Sequence, residues 1–219
     1  MKDTMLRLLI IDDHAIVREG YRRLLERRQD LRIVAEAGTA DEGYEQFKTH
    51  EPEVTLLDLS LGAGSGLRLL AQMMRHSPEA AVLVFSMHAE PLYAVQVLKA
   101  GARGYVTKGS APQVLIDAVY QVARGQRALS PDLAGEVAGM LLDGEGEHAG
   151  LTPREFDILR LLMQGLDVDA IGQALHISPK TVRNGHYQLK AKLGARSDIE
   201  LTRKALQLKL LGGSDPAVG

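Results

Sequence analysis

The sequence predicts two units: an open α/β sheet over its first 125 residues and a small all-helical unit over its last third. Three observations predict them. Short apolar runs alternate with amphipathic segments five times before residue 125. Several of those runs, such as "LLII" and "VLVF", are apolar on both faces, as parallel strands covered by helices on each side must be. From Leu151 onward only helical signals remain, and the preceding "DGEGEHAG" carries glycine and charge with no apolar periodicity.

The strands are expected at Arg7–Ile11, Arg32–Glu36, Val54–Asp58, Ala81–Ser86 and Gly104–Thr107, with helices near 14–28, 40–49, 65–76, 90–100 and 111–124. Five βα units in a row specify a parallel sheet, and right-handed crossovers restrict its topology. Ser130-Pro131 can start a short helix reaching about Leu142, inside a stretch from Gly125 to Gly150 that otherwise reads as a linker. In the tail, "TPRE" reads as a capping box, with Thr152 as N-cap, Pro153 at the first helical position and Glu155 reaching back. Gly165 can close that helix. A short helix at about Val168–Leu175 follows, and "HISPKT" turns the chain into a helix from Pro179 to Leu193. Ser197 and Glu200 form a second capping box, opening a last helix to about Leu211. Four short helices, two joined by a tight turn, outline a helix-turn-helix unit. The expected division is therefore 1–125, a linker with a short helix over 126–150, and 151–219.

Bulk properties narrow the possibilities. The chain has 219 residues, 45% hydrophobic and 25% charged, ordinary for a globular protein able to bury a core. It has no cysteine, which excludes disulfides and thiolate metal sites and suits an intracellular location. No apolar run approaches the ~20 residues of a membrane span, and an acidic pair interrupts the first apolar run, unlike a signal peptide. The net charge of −2 conceals an asymmetry: 16 Lys+Arg against 21 Asp+Glu before residue 151, and 10 against 7 after it. An acidic front and a mildly basic back suggest two tasks, the second on a polyanion.

In an open α/β sheet, ligands bind beyond the carboxyl ends of the strands. Asp12 and Asp13 follow the first strand and Asp58 ends the third, so three carboxylates converge on one edge. Packed together they repel unless a cation sits among them. A hard, oxygen-seeking ion, Mg²⁺ by preference, fits that role and can bridge to a phosphate. Ser86 ends the fourth strand and Lys108 follows the fifth, bringing a hydroxyl and an ammonium to the same edge. Singly, each of these residues reads as a cap, a turn or a solvated charge. Five at one edge suit phosphoryl transfer, in which positioning and charge neutralisation do most of the work.

The segments "LLIIDDHAIVREG", "LLDLSL", "VLVFSMH" and "AGARGYVTKG" resemble the receiver domain of bacterial two-component response regulators, and "LTPREFDILRLLMQG…HISPKTVRN…KLG" resembles a LuxR-type DNA-binding domain. Together they resemble the NarL/FixJ family over nearly the whole chain. The resemblance implies a flavodoxin-like receiver with Asp58 as phosphoacceptor and a sensor histidine kinase as donor. It implies Asp12 and Asp13 as Mg²⁺-binding acids, with the backbone carbonyl of Ser60 as a further ligand. Ser86 and Lys108 would hold the phosphoryl oxygens, and Tyr105 falls at the aromatic switch position. Drawing Ser86 inward would make room for the Tyr105 ring, a population shift between two states. The implied protein is a cytoplasmic bacterial transcription regulator that binds double-stranded DNA and forms a homodimer when phosphorylated. It is not an enzyme beyond intrinsic phosphorylation and dephosphorylation at Asp58. One departure is Gly62, where the family usually has proline; a looser loop there alters rates rather than abolishing the site.

The tail raises its own question. Along Pro179–Leu193 the apolar face runs through Val182 and Leu189 to Leu193, which places Arg183, Asn184 and Tyr187 where base edges would be. Lys180, Thr181, Lys190 and Lys192 are placed for phosphates. Between Pro179 and Ser197 there are five Lys/Arg and no Asp or Glu, which favours DNA. Yet Gly185 sits mid-helix, at a cost of about 1 kcal/mol relative to alanine. It would leave a gap beneath the helix, partly filled by His186. Asp167 and Asp169 would also bring negative charge near phosphates. Leu201, Ala205, Leu208 and Leu211 are apolar anchors for the last helix, which the family uses to dimerise. The alternative function is thus a phosphorylation-dependent protein-interaction regulator whose helix-turn-helix unit binds DNA weakly or not at all. A metal-dependent phosphohydrolase ranks below both, because the sequence offers no second general acid.

Overall fold

The computed structural model describes residues 5–61, 65–87, 89–142, 151, 153–175 and 177–207. Gly62, Thr152, the segment 143–150 and the anchors Leu208 and Leu211 lie outside the described residues.

The front unit alternates β1 (Leu6–Ile11), α1 (Ala15–Leu25), β2 (Leu31–Ala37), α2 (Ala40–His50), β3 (Val54–Leu57), α3 (Ser65–His76), β4 (Val82–Ser86), α4 (Pro91–Lys99), β5 (Gly104–Thr107) and α5 (Pro112–Ala123). Every strand lies within one residue of its expected bounds. The first helix ends three residues early, where Arg28 N–H donates to the Leu25 carbonyl in a tighter turn. A short strand, β6 (Ala128–Leu129), follows; the strand order is β2-β1-β3-β4-β5-β6 and every pairing is parallel. Alternation along the strands sorts their side chains between two layers. Leu8, Ile10 and Leu56 face the side of α1 and α5, packing with Leu25, Leu115 and Val119. Leu9, Ile11 and Leu57 face the other side, with Leu69, Leu70 and Met73 of α3 and Val95 of α4.

The sheet has six strands where the sequence suggested five. β6 (Ala128–Leu129) extends the edge beside β5, with Ala128 N–H donating to the Arg103 carbonyl at 3.1 Å and Ser130 N–H to the Tyr105 carbonyl at 3.0 Å. Two residues are too few for a periodic signal. What recruits them is the open row of backbone groups on β5, which must find partners. The helix after it, α6 (Pro131–Leu142), packs on α4 and buries Leu133 and Val137. The start of the expected linker therefore belongs to the packed front unit.

The tail comprises α7 (Pro153–Met163), α8 (Val168–Ala174), α9 (Pro179–Leu193) and α10 (Asp198–Gln207). Gly165 (φ +81°) and Gly194 (φ +61°) follow α7 and α9 in left-handed conformations that suit glycine. Asp167 caps α8 by accepting from Ala170 N–H at 2.8 Å, and Ser178 caps α9 through Thr181 N–H at 3.1 Å. Ser197 Oγ accepts from Glu200 N–H at 3.2 Å, while the Glu200 carboxylate reaches Arg196 N–H at 2.9 Å, one residue earlier than a strict capping box. The Thr152 half of the expected capping box lies outside the described residues; Glu155 itself is buried, and its carboxylate pairs with Lys192 at 2.7 Å, tying α7 to α9. One apolar cluster runs from the α3/α4 side of the sheet into the tail, through Tyr93 of α4 and Phe156 of α7.

Candidate functional site

Asp12 and Asp58 meet at the carboxyl edge because β1 and β3 are neighbours, with Ile11 opposite Leu57 in register. Asp58 N–H donates to the Ile11 carbonyl at 2.8 Å, fixing the turn that follows. Both aspartates are 3% exposed, and the Lys108 ammonium lies between them, 2.7 Å from Asp12 Oδ2 and 2.6 Å from Asp58 Oδ2. The second oxygen of each carboxylate accepts from backbone: Asp12 Oδ1 from His14 N–H at 2.8 Å, and Asp58 Oδ1 from Ser60 N–H at 2.9 Å. Burial works against the Lys108 charge, but Asp58 and Asp12 outweigh it and hold the ammonium above its ordinary pKa.

Asp13 stands at the mouth, more exposed, 2.7 Å from His14 Nδ1. Carboxylate and imidazole atoms of Asp12, Asp13, His14 and Asp58 all lie within 4.8 Å of one another, close enough to share one cation. The donor set is dominated by carboxylate oxygens, which fits a hard divalent ion. Behind it, Ser86 and Tyr105 are fully buried, and the Tyr105 phenol is hydrogen-bonded to Ser86. The aromatic ring thus lies inward, next to the acid edge. Burial outweighs that hydrogen bond and pushes the phenol pKa well above the usual tyrosine range.

Sequence reasoning overlooked three neighbours. His14 completes the acid cluster and was hidden as an ordinary helix-start residue. The Arg18 guanidinium, one helical turn further on, donates to the Asp12 carbonyl and sets the turn's backbone. Gly66 of α3 is the third: a Cβ there would lie 2.5 Å from Leu59 Cα and 2.9 Å from the Asp58 carbonyl oxygen. The missing side chain at 66 lets α3 lie against the Asp58 loop.

In the tail, Lys180, Thr181, Arg183, Asn184 and Tyr187 are exposed along one face of α9, Tyr187 with 70% of its surface open. Lys190 and Lys192 are committed within the domain, to Asp198 at 2.7 Å and Glu155 at 2.7 Å respectively. Beneath α9 there is no gap at Gly185. A Cβ at that position would lie 2.4 Å from Ile158 Cδ1, so the α7 side chain already fills the space assigned to His186. His186 instead turns toward α10, its Nε2 2.9 Å from Asp198 Oδ1.

Known proteins agree with both halves. The family model of the response regulator receiver domain matches residues 8–120, and that of bacterial regulatory proteins of the luxR family matches residues 149–205. The chain is a response regulator of the NarL/FixJ family. This regulator is 32% identical to the response regulator UvrY of Escherichia coli K12, over 93% of the chain and 94% of the relative. It is 38% identical to the transcriptional regulatory protein UhpA of the same strain, over 91% and 97%. Among solved structures it resembles a LuxR-family two-component response regulator from Aurantimonas (40% identity, TM-score 0.60, 62% of this chain and 97% of that one). It also resembles Salmonella enterica RcsB bound to the rprA promoter with a beryllofluoride phosphomimetic (27% identity, TM-score 0.62, 91% and 97%). The regulator is therefore a two-component transcription factor with a receiver and a LuxR-type DNA-binding domain. Among the described residues no helix is long and apolar enough to cross a membrane.

Proposed function

We propose that a sensor histidine kinase phosphorylates this regulator on Asp58, and that the modification controls its binding to double-stranded DNA as a homodimer. The observation that carries the reading is the Lys108 bridge between two buried carboxylates, one of them at the end of β3 beside the more exposed Asp13. Mg²⁺ held by Asp12, Asp13, Asp58 and the Ser60 carbonyl would neutralise the charge of the phosphoryl group. In the transfer, an Asp58 carboxylate oxygen forms the new P–O bond as the P–N bond to the kinase histidine breaks, and the electron pair stays on the imidazole. Lys108, released from Asp58, follows the new oxygens; Ser86 donates to another; Tyr105 retains its inward place. The same site supports slow autodephosphorylation by water, the only catalysis expected of it. A receiver over residues 1–125, a connection over 126–150 and a DNA-binding domain over 151–219 remains the proposed division, with β6 and α6 packed onto the receiver.

Arg183, Asn184 and Tyr187 are the proposed base readers, with Lys180 and Thr181 on phosphates. Lys190 and Lys192 would reach phosphates only by leaving Asp198 and Glu155. Gly185 supports a working helix over a relic, since its missing side chain is matched by Ile158. A cytoplasmic location follows from these partners. The test is selection from random duplex DNA with and without beryllofluoride and Mg²⁺, alongside Asp58→Ala. Sequence-selective binding that strengthens with the mimic only when Asp58 is present is expected. No selective binding under any condition would move the function to protein partners.

A further inference from the structure

Aromatic residues are scarce in this chain, three Phe and six Tyr with no Trp, and three of the nine form one buried line between the domains. Tyr105 of β5 and Tyr93 of α4 meet edge to face, with ring centroids 6.4 Å apart and planes at 79°. Tyr93 then meets Phe156 of α7 at 5.9 Å, with planes at 48°. All three are 3% exposed or less. Each spacing lies in the range where aromatic pairs attract beyond their burial.

Both ends of the line are functional. At one end, Tyr105 is hydrogen-bonded to Ser86, the hydroxyl at the phosphoryl edge. At the other, Phe156 lies on α7, whose Ile158 seats Gly185 of the recognition helix and whose Glu155 pairs with Lys192. Polar groups surround the Phe156 contact: burial, then the charge of Asp157, pushes the Tyr93 phenol well above the usual tyrosine range. Arg154, held low by burial, is faced by Asp157, Tyr93 and Arg68. In this docked arrangement Arg183, Asn184 and Tyr187 stay exposed, so the contact does not mask the DNA-facing surface.

We propose that Tyr93 is the positioning residue that couples the Ser86–Tyr105 switch to the DNA-binding domain, by a three-ring contact ending on Phe156. The proposal rests on the phosphorylation-controlled DNA binding set out above. An inward Tyr105 supports the Tyr93 ring from beneath, and Tyr93 in turn gives Phe156 a surface on which to dock. A phosphoryl group that fixes Ser86 and Tyr105 inward therefore favours the docked pose, in which α9 is exposed and its orientation is set. Without it, only the Ser86–Tyr105 hydrogen bond holds the ring inward, and the docked pose is the less populated one.

The test compares mimic-induced DNA affinity in the full chain for wild type, Tyr93→Leu, Phe156→Leu, the double variant and Tyr93→Phe. Beryllofluoride bound at the receiver is followed in each by ¹⁹F NMR. Wild type is expected to gain affinity within the ~5–150-fold of ordinary allosteric coupling. Either leucine variant should lose most of that gain while still binding beryllofluoride, and the double variant should do no worse than either alone. Tyr93→Phe keeps the ring and should keep the gain. Tyr93→Leu lies in the receiver, so it decides the matter should Phe156→Leu unfold the tail. Because the chain has no cysteine, labels at introduced cysteines replacing Glu45 and Gln188 give a second readout. The interdomain distance should narrow with the mimic in wild type and stay broad in Tyr93→Leu. A full gain in both leucine variants overturns the proposal, and so does tight binding without the mimic, which would make the contact a brake. A wild type that binds DNA but ignores the mimic overturns instead the functional reading beneath it.

Discussion

Substituting Gly185 by alanine tests whether the recognition helix is adapted to its seat or damaged. On an exposed helix face the change would stabilise by about 1 kcal/mol, the propensity difference between the two residues. Here the new Cβ would fall 2.4 Å from Ile158 Cδ1, and Ile158 is fully buried in the tail core. Overpacking of this kind costs about 1–3 kcal/mol, so the expected net effect of Gly185→Ala runs from neutral to about 2 kcal/mol destabilising. Ile158→Val removes the clashing carbon and alone should cost about 0.5–1.5 kcal/mol. Together the alanine methyl occupies the vacated volume and the helix gains its propensity. The double-mutant cycle should therefore show a favourable coupling of at least about 1 kcal/mol. Global denaturation of a two-domain chain is not two-state, so the assay is native-state hydrogen exchange of the α7 and α9 amides, which separates the tail from the receiver. Stabilisation by the full ~1 kcal/mol in the single variant, with effects adding to within about 0.5 kcal/mol, would refute the packing argument.

Other perturbations separate the site from its supports. Gly66→Ala places a methyl 2.5 Å from the Leu59 backbone and should displace the Asp58 loop, abolishing beryllofluoride binding with little change in melting of the tail. Lys108→Met leaves two buried carboxylates without the ammonium between them; stability should fall by about 3–5 kcal/mol, with Mg²⁺ restoring part of it in urea titrations. Glu155→Gln removes the charge that Lys192 pairs with and should cost the tail about 1.5–3 kcal/mol, read from exchange of the α9 amides. Asp198 is held below the usual carboxylate range, first by its hydrogen bond from Lys190 and then by His186. A depressed folded pKa contributes stability above the unfolded value near 3.9 and loses it as pH falls through the folded value. Acid unfolding of Asp198→Asn should accordingly be less steep than wild type over that window.

The framework of the receiver was legible because each strand carries an apolar run that stands out, even with Arg7 in β1 and Arg32 and Glu36 in β2, and amphipathic segments separate the runs. The acid edge was legible too: strand-end position alone brings Asp12 and Asp58 together, whatever the loops do. Lys108 was placed at the same edge, but its bridge between both carboxylates was not foreseeable, since it depends on side-chain reach from β5 to Asp58 after β3 and to Asp12 after β1. β6 was missed because two residues joined to β5 by backbone bonds leave no side-chain pattern. The misreading at Gly185 has a different origin. A helix-propensity scale assigns a glycine its cost without knowing its neighbour, and the neighbour is Ile158, 27 positions earlier on another helix. Glu155 shows the same limit: a capping role can be read locally from "TPRE", whereas its pairing with Lys192 on α9 cannot.

These corrections change how the tail should be expected to act on DNA. Two of its lysines are spent on holding α9 to α7 and α10, and Asp167 is occupied as the cap of α8. The surface left for a polyanion is narrower than the count of basic residues suggests, with Lys180 and Arg183 the cations most directly placed beside the reading face. Each phosphate contact forgone lowers the salt slope by about 0.9 on double-stranded DNA and lowers affinity with it. A tail with few anchors binds weakly alone, which leaves room for the receiver to matter. A coupling of ordinary size can then move occupancy from low to high, whereas a tail saturated by its own charges would stay bound in either state. Economy of positive charge on α9 and control through the α4–α7 contact are thus parts of one arrangement.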